Sequence, residues 1–285
     1  MFKFAFVSAV LLLSTSAFAV EGTSEGTPAG ASHADYGSGR LGIPDDIYLN
    51  FFTIFHGPGV TNVDKPYTPN IGDGHTVAKD GNQMNFDSEF TAAYLLTNNI
   101  GIGPVIPFFL YPVQGKGISL GDVGIKAFNK KMVSTHDLNI YANMIFQIPT
   151  SQYSHADFRR MDFALKTTPN IRYSVPNTRY TIGAWTEMKA YFGVNSGKTF
   201  KLYGAPYVNY QLTPNFSWNL EFEIEADHMY GTSNGRLTTA ETDVMPGFIY
   251  IITPKIIVNP YLQIFTGQKI SMQNTAVGAV MSASL

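Results

Sequence analysis

Residues Asn215–Gly231 read Asn-Phe-Ser-Trp-Asn-Leu-Glu-Phe-Glu-Ile-Glu-Ala-Asp-His-Met-Tyr-Gly. Phe216, Trp218, Leu220, Phe222, Ile224 and Ala226 occupy one parity. Ser217, Asn219, Glu221, Glu223, Glu225 and Asp227 occupy the other. Successive side chains of a strand point to opposite faces, so this unbroken alternation predicts a strand with one apolar and one polar face. A soluble sheet can carry the same pattern. Here the strand is long, opens among aromatic residues and belongs to a series. A tilted membrane strand needs about 9–11 residues, and this segment supplies them. The chain is therefore expected to be all-β: a transmembrane antiparallel β-barrel with a wet interior.

Working outward, twelve candidate strands follow from residue 46 onward: Ile47–His56, Asn85–Thr97, Ile100–Val113, Ile118–Lys131, Leu138–Ile148, Met161–Ser174, Arg179–Gly193, Thr199–Thr213, Phe216–Tyr230, Glu241–Ile252, Ile256–Gly267 and Ala276–Leu285. Ten or fourteen strands also fit the pattern. The connections alternate in kind. Tight turns carry Asn98-Asn99, Ser134–Asp137, Pro176-Asn177-Thr178, Pro214-Asn215 and Pro254-Lys255. The other set, Gly57–Met84, Ser151–Arg160, Gly231–Ala240 and Gln268–Thr275, is longer, with Gln114–Gly117 and Val194–Lys198 as short members. Short turns at one end and long loops at the other are the layout of bacterial barrels, and an even strand count puts both barrel ends on the short-turn side. Against this stand Pro104, Pro107, Pro169, Pro206, Pro246 and Pro260, because proline cannot donate to a ladder. Bulges near the rims are expected to absorb them.

The N-terminal residues look like an export signal. Lys3 supplies the positive region, Phe4–Leu13 the apolar core, and Ala17-Phe18-Ala19 a small-x-small cleavage site, so residues 1–19 are expected to be removed. The apolar core is too short for a stable spanning helix. Residues 20–45 are rich in Gly, Ser, Thr and Pro and cannot bury a core, so they are expected to be flexible, either as a periplasmic tail or as a plug folded into the lumen. Residues 46–285 are expected to form the barrel. The chain has 0 Cys, which excludes disulfides, thiol catalysis, cysteine metal sites and a lipid-anchored cysteine. A net charge of −2 gives no nucleic-acid footprint. Aromatics at 14% suit interfacial girdles.

The polar parity is where function is expected, because it faces the lumen. It carries Asp87, Glu89, Asp122, Lys126, Asn139, Tyr141, Asn143, Gln147, Asp162, Lys166, Asn170, Arg172, Glu187, Lys189, Lys201, Tyr203, Tyr207 and Asn209, then the row Glu221, Glu223, Glu225 and Asp227. Lys126, Lys166, Arg172, Glu187, Lys189, Lys201 and the acid row are the residues expected to set selectivity. Same-strand acids two apart lie about 7 Å from each other, so the row needs water or bases beside it. It either attracts cations as a pore stripe or forms a network satisfied by Lys201, Lys189, Lys166 or Arg172.

His228 with Ser233-Asn234-Gly235 is the candidate for catalysis. Outer-membrane phospholipases are similar in size and use a His-x-Ser-Asn-Gly arrangement. Here His228 lies five residues before Ser233 rather than two, so nucleophile and base do not share a strand face, and no catalytic role is assigned. Asp162 with Arg159 and Arg160 has no paired Asp and His beside it. The six His residues are scattered, so no metal or cofactor site is expected.

Two segments carry a family resemblance. Ser119-Leu120-Gly121-Asp122-Val123-Gly124-Ile125-Lys126, followed by Phe146-Gln147-Ile148-Pro149-Thr150-Ser151, resembles the outer-membrane transporter family labelled MetA-pathway of phenol degradation. That family shows a Gly-Asp-hydrophobic strand and then a strand ending in a Leu-Pro-Thr-Gly-like turn. Ser151 stands where the Gly is expected, and Phe128-Asn129 where an aromatic-basic pair is common. The resemblance implies a single barrel passing small compounds, hydrophobic ones included, and carries over no binding residues. The C-terminal Ala-Val-Met-Ser-Ala-Ser-Leu285 departs from the terminal aromatic that barrel-assembly machinery favours.

The expectation is a non-enzymatic pore of the bacterial outer membrane for small solutes. Its expected partners are outer-membrane lipid and the barrel-assembly machinery, and its oligomeric state is left open. The alternatives are a non-conducting structural or adhesive barrel presenting Gly57–Met84 and, less favoured, a membrane hydrolase. A soluble periplasmic β protein is the alternative at the level of fold.

Overall fold

The alternating segments become thirteen strands: β1 (Ile47–Gly59), β2 (Asn85–Leu95), β3 (Ile100–Tyr111), β4 (Gly117–Leu120), β5 (Gly124–Ser134), β6 (Leu138–Gln147), β7 (Phe163–Ser174), β8 (Tyr180–Phe192), β9 (Lys198–Thr213), β10 (Phe216–Met229), β11 (Thr238–Thr253), β12 (Ile256–Phe265) and β13 (Thr275–Ser284). The structure, a computed structural model, describes residues 46–60, 85–111, 117–151, 154, 161–232, 236–266, 272 and 275–284. The expected export signal 1–19, the segment 20–45, most of the first long connection, Arg159, Arg160 and Ser233-Asn234-Gly235 lie outside those residues.

All pairings are antiparallel. β1 joins β13 as well as β2, so the sheet closes on itself. β2 pairs with the same end of β3 that β4 does, so β4 lies on the side of β3 that β5 takes up; the two share one place in the ring, which leaves twelve places in the barrel wall. The predicted strand Ile118–Lys131 is thus split. Its first part, β4, pairs with Phe108–Tyr111 of β3, and its second, β5, pairs with Ile100–Val105. Residues 121–123 are the break.

Burial runs inside out. On β10, Ser217, Asn219, Glu225 and Asp227 are buried, while Phe222 and Ile224 are exposed. On β6, Asn143 and Gln147 are buried, with Met144 and Phe146 outside. A soluble β-barrel would hide the second set and wet the first. Facing hydrocarbon, the outward set needs no cover, and the inward set needs polar company. Aromatic residues gather at both ends of the outer surface. Tyr94, Tyr173, Tyr180 and Tyr250 stand exposed near the tight turns, where Tyr180 and Tyr210 lie 4.8 Å apart and Phe216 and Phe248 5.4 Å apart. Near the long connections Phe163 stacks on Phe192 at 4.4 Å and on Phe146 at 5.3 Å. These are two girdles at the levels where headgroups meet water. The fold is a transmembrane antiparallel β-barrel.

The prolines are not accommodated by rim bulges, as the sequence led us to expect. Register shifts lie elsewhere, between Asn129 and Val133 and between Glu225 and Ala226, for example. Beside Pro206 the β9–β10 pairing skips from Glu221–Tyr207 to Ile224–Gly204 and resumes in the same register. Beside Pro246 and Pro260 the β11–β12 pairing skips twice and again does not slip. A proline deletes the one bond its N–H would donate, and the flanking bonds hold the register. Pro107 sits where β3 changes partner, and its carbonyl accepts the Gly121 N–H at 2.8 Å.

Three inward aromatic rings lie flat against the wall, each opposite a glycine on the neighbouring strand: Phe128 opposite Gly101, Tyr207 opposite Gly183 and Tyr261 opposite Gly278. A Cβ on Gly101, Gly183 or Gly278 would come within 2.4–2.5 Å of the facing side chain. Phe128 is thereby free to cover the inner wall as far as Tyr48 of β1, at 5.2 Å.

Candidate functional site

The inward parity assembles side chains that are far apart in sequence. Lys166 of β7 lies 3.6 Å from Glu187 of β8, and Glu187 lies 3.8 Å from Lys201 of β9. Lys201 meets Glu225 of β10 at 2.8 Å. Lys198 then reaches Glu225 at 2.9 Å and Asp227 at 2.6 Å. The result is an alternating chain of charges over four adjacent strands. Its closest pairs are well buried: the side chains of Glu225 and Asp227 are 5% and 6% exposed. A second pair, Lys126 of β5 with Glu89 of β2 at 2.6 Å, spans the inner face of β3. On its way Lys126 passes Thr91 of β2, whose hydroxyl lies 3.5 Å from its ammonium.

The acid row therefore divides. Glu225 and Asp227 have lysine partners, whereas Glu221 and Glu223 form no salt bridge among the described residues. Glu223 faces Asp243 across the β10–β11 ladder and accepts a hydrogen bond from the Tyr203 hydroxyl. Asp243 accepts one from Gln263. Arg172 lies within electrostatic reach of Tyr207. Lys189 projects from β8 with its ammonium 4.8 Å from the centre of the Tyr191 ring. The charges felt by Lys166 include those of Glu89 and Asp87 from β2 as well as that of Glu187, so side chains from separate parts of the wall approach one another over the lumen. Tyr141 from β6 packs edge-on against Trp185 from β8 at 6.3 Å. Lower in the wall the lining is neutral, with Asn219 donating to Asn209 at 2.6 Å and Asn50 to the Ser284 hydroxyl at 3.2 Å.

Lys198, Trp185, Asp243 and Gln263 are members of this lining that sequence reasoning did not single out. Asp122, expected in the lumen beside Lys126, is tied up by the loop after β6, although its charge still reaches Lys189. Its carboxylate accepts the Thr150 N–H at 3.1 Å, the Ser151 N–H at 3.0 Å and the Ser154 hydroxyl at 2.6 Å. Thr150 returns its hydroxyl to the Gly121 carbonyl at 3.2 Å and accepts the Val123 N–H at 2.8 Å. The break in the β4–β5 wall is thus clasped to the long connection after β6. Asp122→Ala is expected to cost about 1–3 kcal/mol locally, since water can replace some of these bonds. The check is limited proteolysis: cleavage within residues 148–162 should rise while the barrel keeps its folded electrophoretic mobility. Unchanged cleavage would count against the clasp.

His228 is engaged by the Thr199 hydroxyl at its Nδ1. Among the described residues no group of three His, Cys, Asp or Glu is arranged to hold a metal ion.

No protein-family model and no curated protein sequence matches the chain. Solved structures do resemble it. An outer membrane channel from Pseudomonas putida F1 superposes with a TM-score of 0.50 at 10% identity, covering 88% of this chain and 99% of that one. The NanC porin gives a TM-score of 0.44 at 7% identity, covering 82% of this chain and 98% of that one. At such identities the likeness is one of fold.

Proposed function

We propose that this protein is a passive pore of the bacterial outer membrane, carrying small solutes through a hydrated, charge-lined lumen. The observation that carries this is the state of Lys189 and Glu221. Both lie on the inward parity, and neither has a salt-bridge partner among the described residues. In a sealed, dry lumen each would cost several kcal/mol or give up its charge. Water in the lumen removes that penalty. On this reading residues 1–19 direct export, residues 20–45 are a periplasmic tail or a plug, and the barrel sits in outer-membrane lipid after insertion by assembly machinery. Lys126, Lys166, Arg172, Glu187, Lys189, Lys201 and the acid row tune which ions pass, with Glu221 and Glu223 the acids left to act on cations. Membership of the MetA-pathway-labelled transporter family is proposed with it. That reading is supported by the two quoted segments, which the Asp122 clasp ties together.

The test is single-channel recording of the refolded protein in a planar bilayer with asymmetric KCl. Discrete openings are expected. Silence from a protein shown to be folded by its heat-modifiable mobility would overturn the pore and favour a structural barrel.

A further inference from the structure

We propose that the inner face of β8 and β9 binds the carboxylate of a small organic acid, with Lys189 as the group that contacts it. The inference rests on the pore reading and deepens it. Lys166, Lys189 and Lys201 stand directly opposite one another on three adjacent strands, Lys166 against Lys189 and Lys189 against Lys201. Like charges in direct register repel, so such a row favours anions beside it over water alone. For two of the three the protein supplies the anion. Glu187 serves Lys166 and Lys201 at 3.6 and 3.8 Å, and Glu225 serves Lys201 at 2.8 Å. For Lys189 it supplies none within salt-bridge distance among the described residues. The strongest charge acting on Lys189 is the repulsion of Lys166, followed by the attraction of Glu187, the repulsion of Lys201 and the weaker attraction of Asp122.

The lining thus runs plus, minus, plus through Lys166, Glu187 and Lys201, and Lys189 adds a further plus with no minus of its own within salt-bridge distance among the described residues. A carboxylate from the lumen would supply one, accepting charge-assisted hydrogen bonds from the ammonium. The flanking groups favour an organic body behind that head. Trp185, Glu187, Lys189 and Tyr191 share one parity of β8, so a phenol borders the lysine along the strand and an indole lies beyond Glu187. Tyr191 holds the ammonium over its ring at 4.8 Å, and Tyr203 faces Glu187 on the next strand. A flat apolar body has aromatic surfaces to lie against, which a bare inorganic anion cannot use.

The probe is benzoate, added to the full barrel conducting in symmetric KCl, with inorganic phosphate as the comparison. Wild type is expected to show saturable benzoate block, with phosphate blocking more weakly. Lys189→Gln should raise the half-blocking benzoate concentration about tenfold, the loss of one charge-assisted contact. It should also shift the reversal potential in a KCl gradient toward potassium. The substitution orphans no carboxylate, so the barrel is expected to fold, and Lys189→Arg should restore block. Equal block in wild type and Lys189→Gln would overturn the assignment. Phosphate blocking as well as benzoate would overturn the organic-acid class. A conducting wild type indifferent to benzoate would overturn this inference alone, and a folded wild type that never conducts would overturn the pore reading with it.

Discussion

Lys198→Met is expected to destabilise the barrel by about 3–5 kcal/mol, the cost of leaving one member of a buried ion pair alone. Lys198 lies 2.6 Å from Asp227, whose side chain is 6% exposed and has no other salt bridge among the described residues. Glu225 suffers less, because Lys201 remains 2.8 Å away. The asymmetry gives the test its control. Adding Asp227→Asn to Lys198→Met removes the stranded charge and should recover most of the loss. Urea unfolding of the refolded protein in lipid vesicles reads both variants. A single variant as stable as wild type would mean that water reaches Asp227 freely and that the pair is dispensable.

The second large effect is expected at Gly183. A Cβ there would lie 2.3 Å from the Ile171 carbonyl oxygen and 2.4 Å from the Tyr207 hydroxyl. The first neighbour is backbone of the adjoining strand and cannot swing away. Gly183→Ala should therefore cost several kcal/mol, at or above the upper end of ordinary overpacking, and displace the Tyr207 ring from the wall. Gly204→Ala is the matched control: its Cβ meets nothing within 4 Å. It should be neutral or slightly stabilising, since alanine has less freedom to lose than glycine. Refolding yield, followed by the heat-modifiable band, separates the two. Equal yields would refute the close approach at Gly183.

Much of this architecture is legible in the chain because a membrane barrel writes its two solvents into alternate residues. The parity of Asn215–Gly231 assigns Glu221, Glu223, Glu225 and Asp227 inward, and the tight turns at Asn98-Asn99 and Pro254-Lys255 place the hairpins. What parity cannot deliver is anything that breaks it. Counted back by twos from Lys201, Lys198 belongs on the outer face. A register shift between His228 and Met229 sets it opposite Met229 instead, where it turns to Glu225 and Asp227. Asp122 shares parity with Lys126 and so reads as lumenal. What parity does not show is the break between β4 and β5 that hands the Asp122 carboxylate to Thr150, Ser151 and Ser154, and the cue for that break was the pair Gly121 and Gly124. Their missing Cβ atoms would strike Pro107 at 2.9 Å and the Phe146 carbonyl at 2.7 Å. Which lysine meets which acid was likewise hidden. Lys126 and Glu89 come from strands on either side of β3, and only three-dimensional register brings them together.

The closing seam has a consequence for how the barrel comes into being. Asn50 hydrogen-bonds to Ser284, 234 positions later, whereas most other wall pairings join neighbours in sequence. Hairpins can zip locally and early, but the last ladder waits for the whole chain and carries the largest loop-closure entropy. Until β13 arrives, β1 and β12 each present an unpaired edge, a template for any passing strand. The nascent barrel is therefore most hazardous to its surroundings just before completion. An escort that guards those two edges would speed productive closure without touching any other part of the wall.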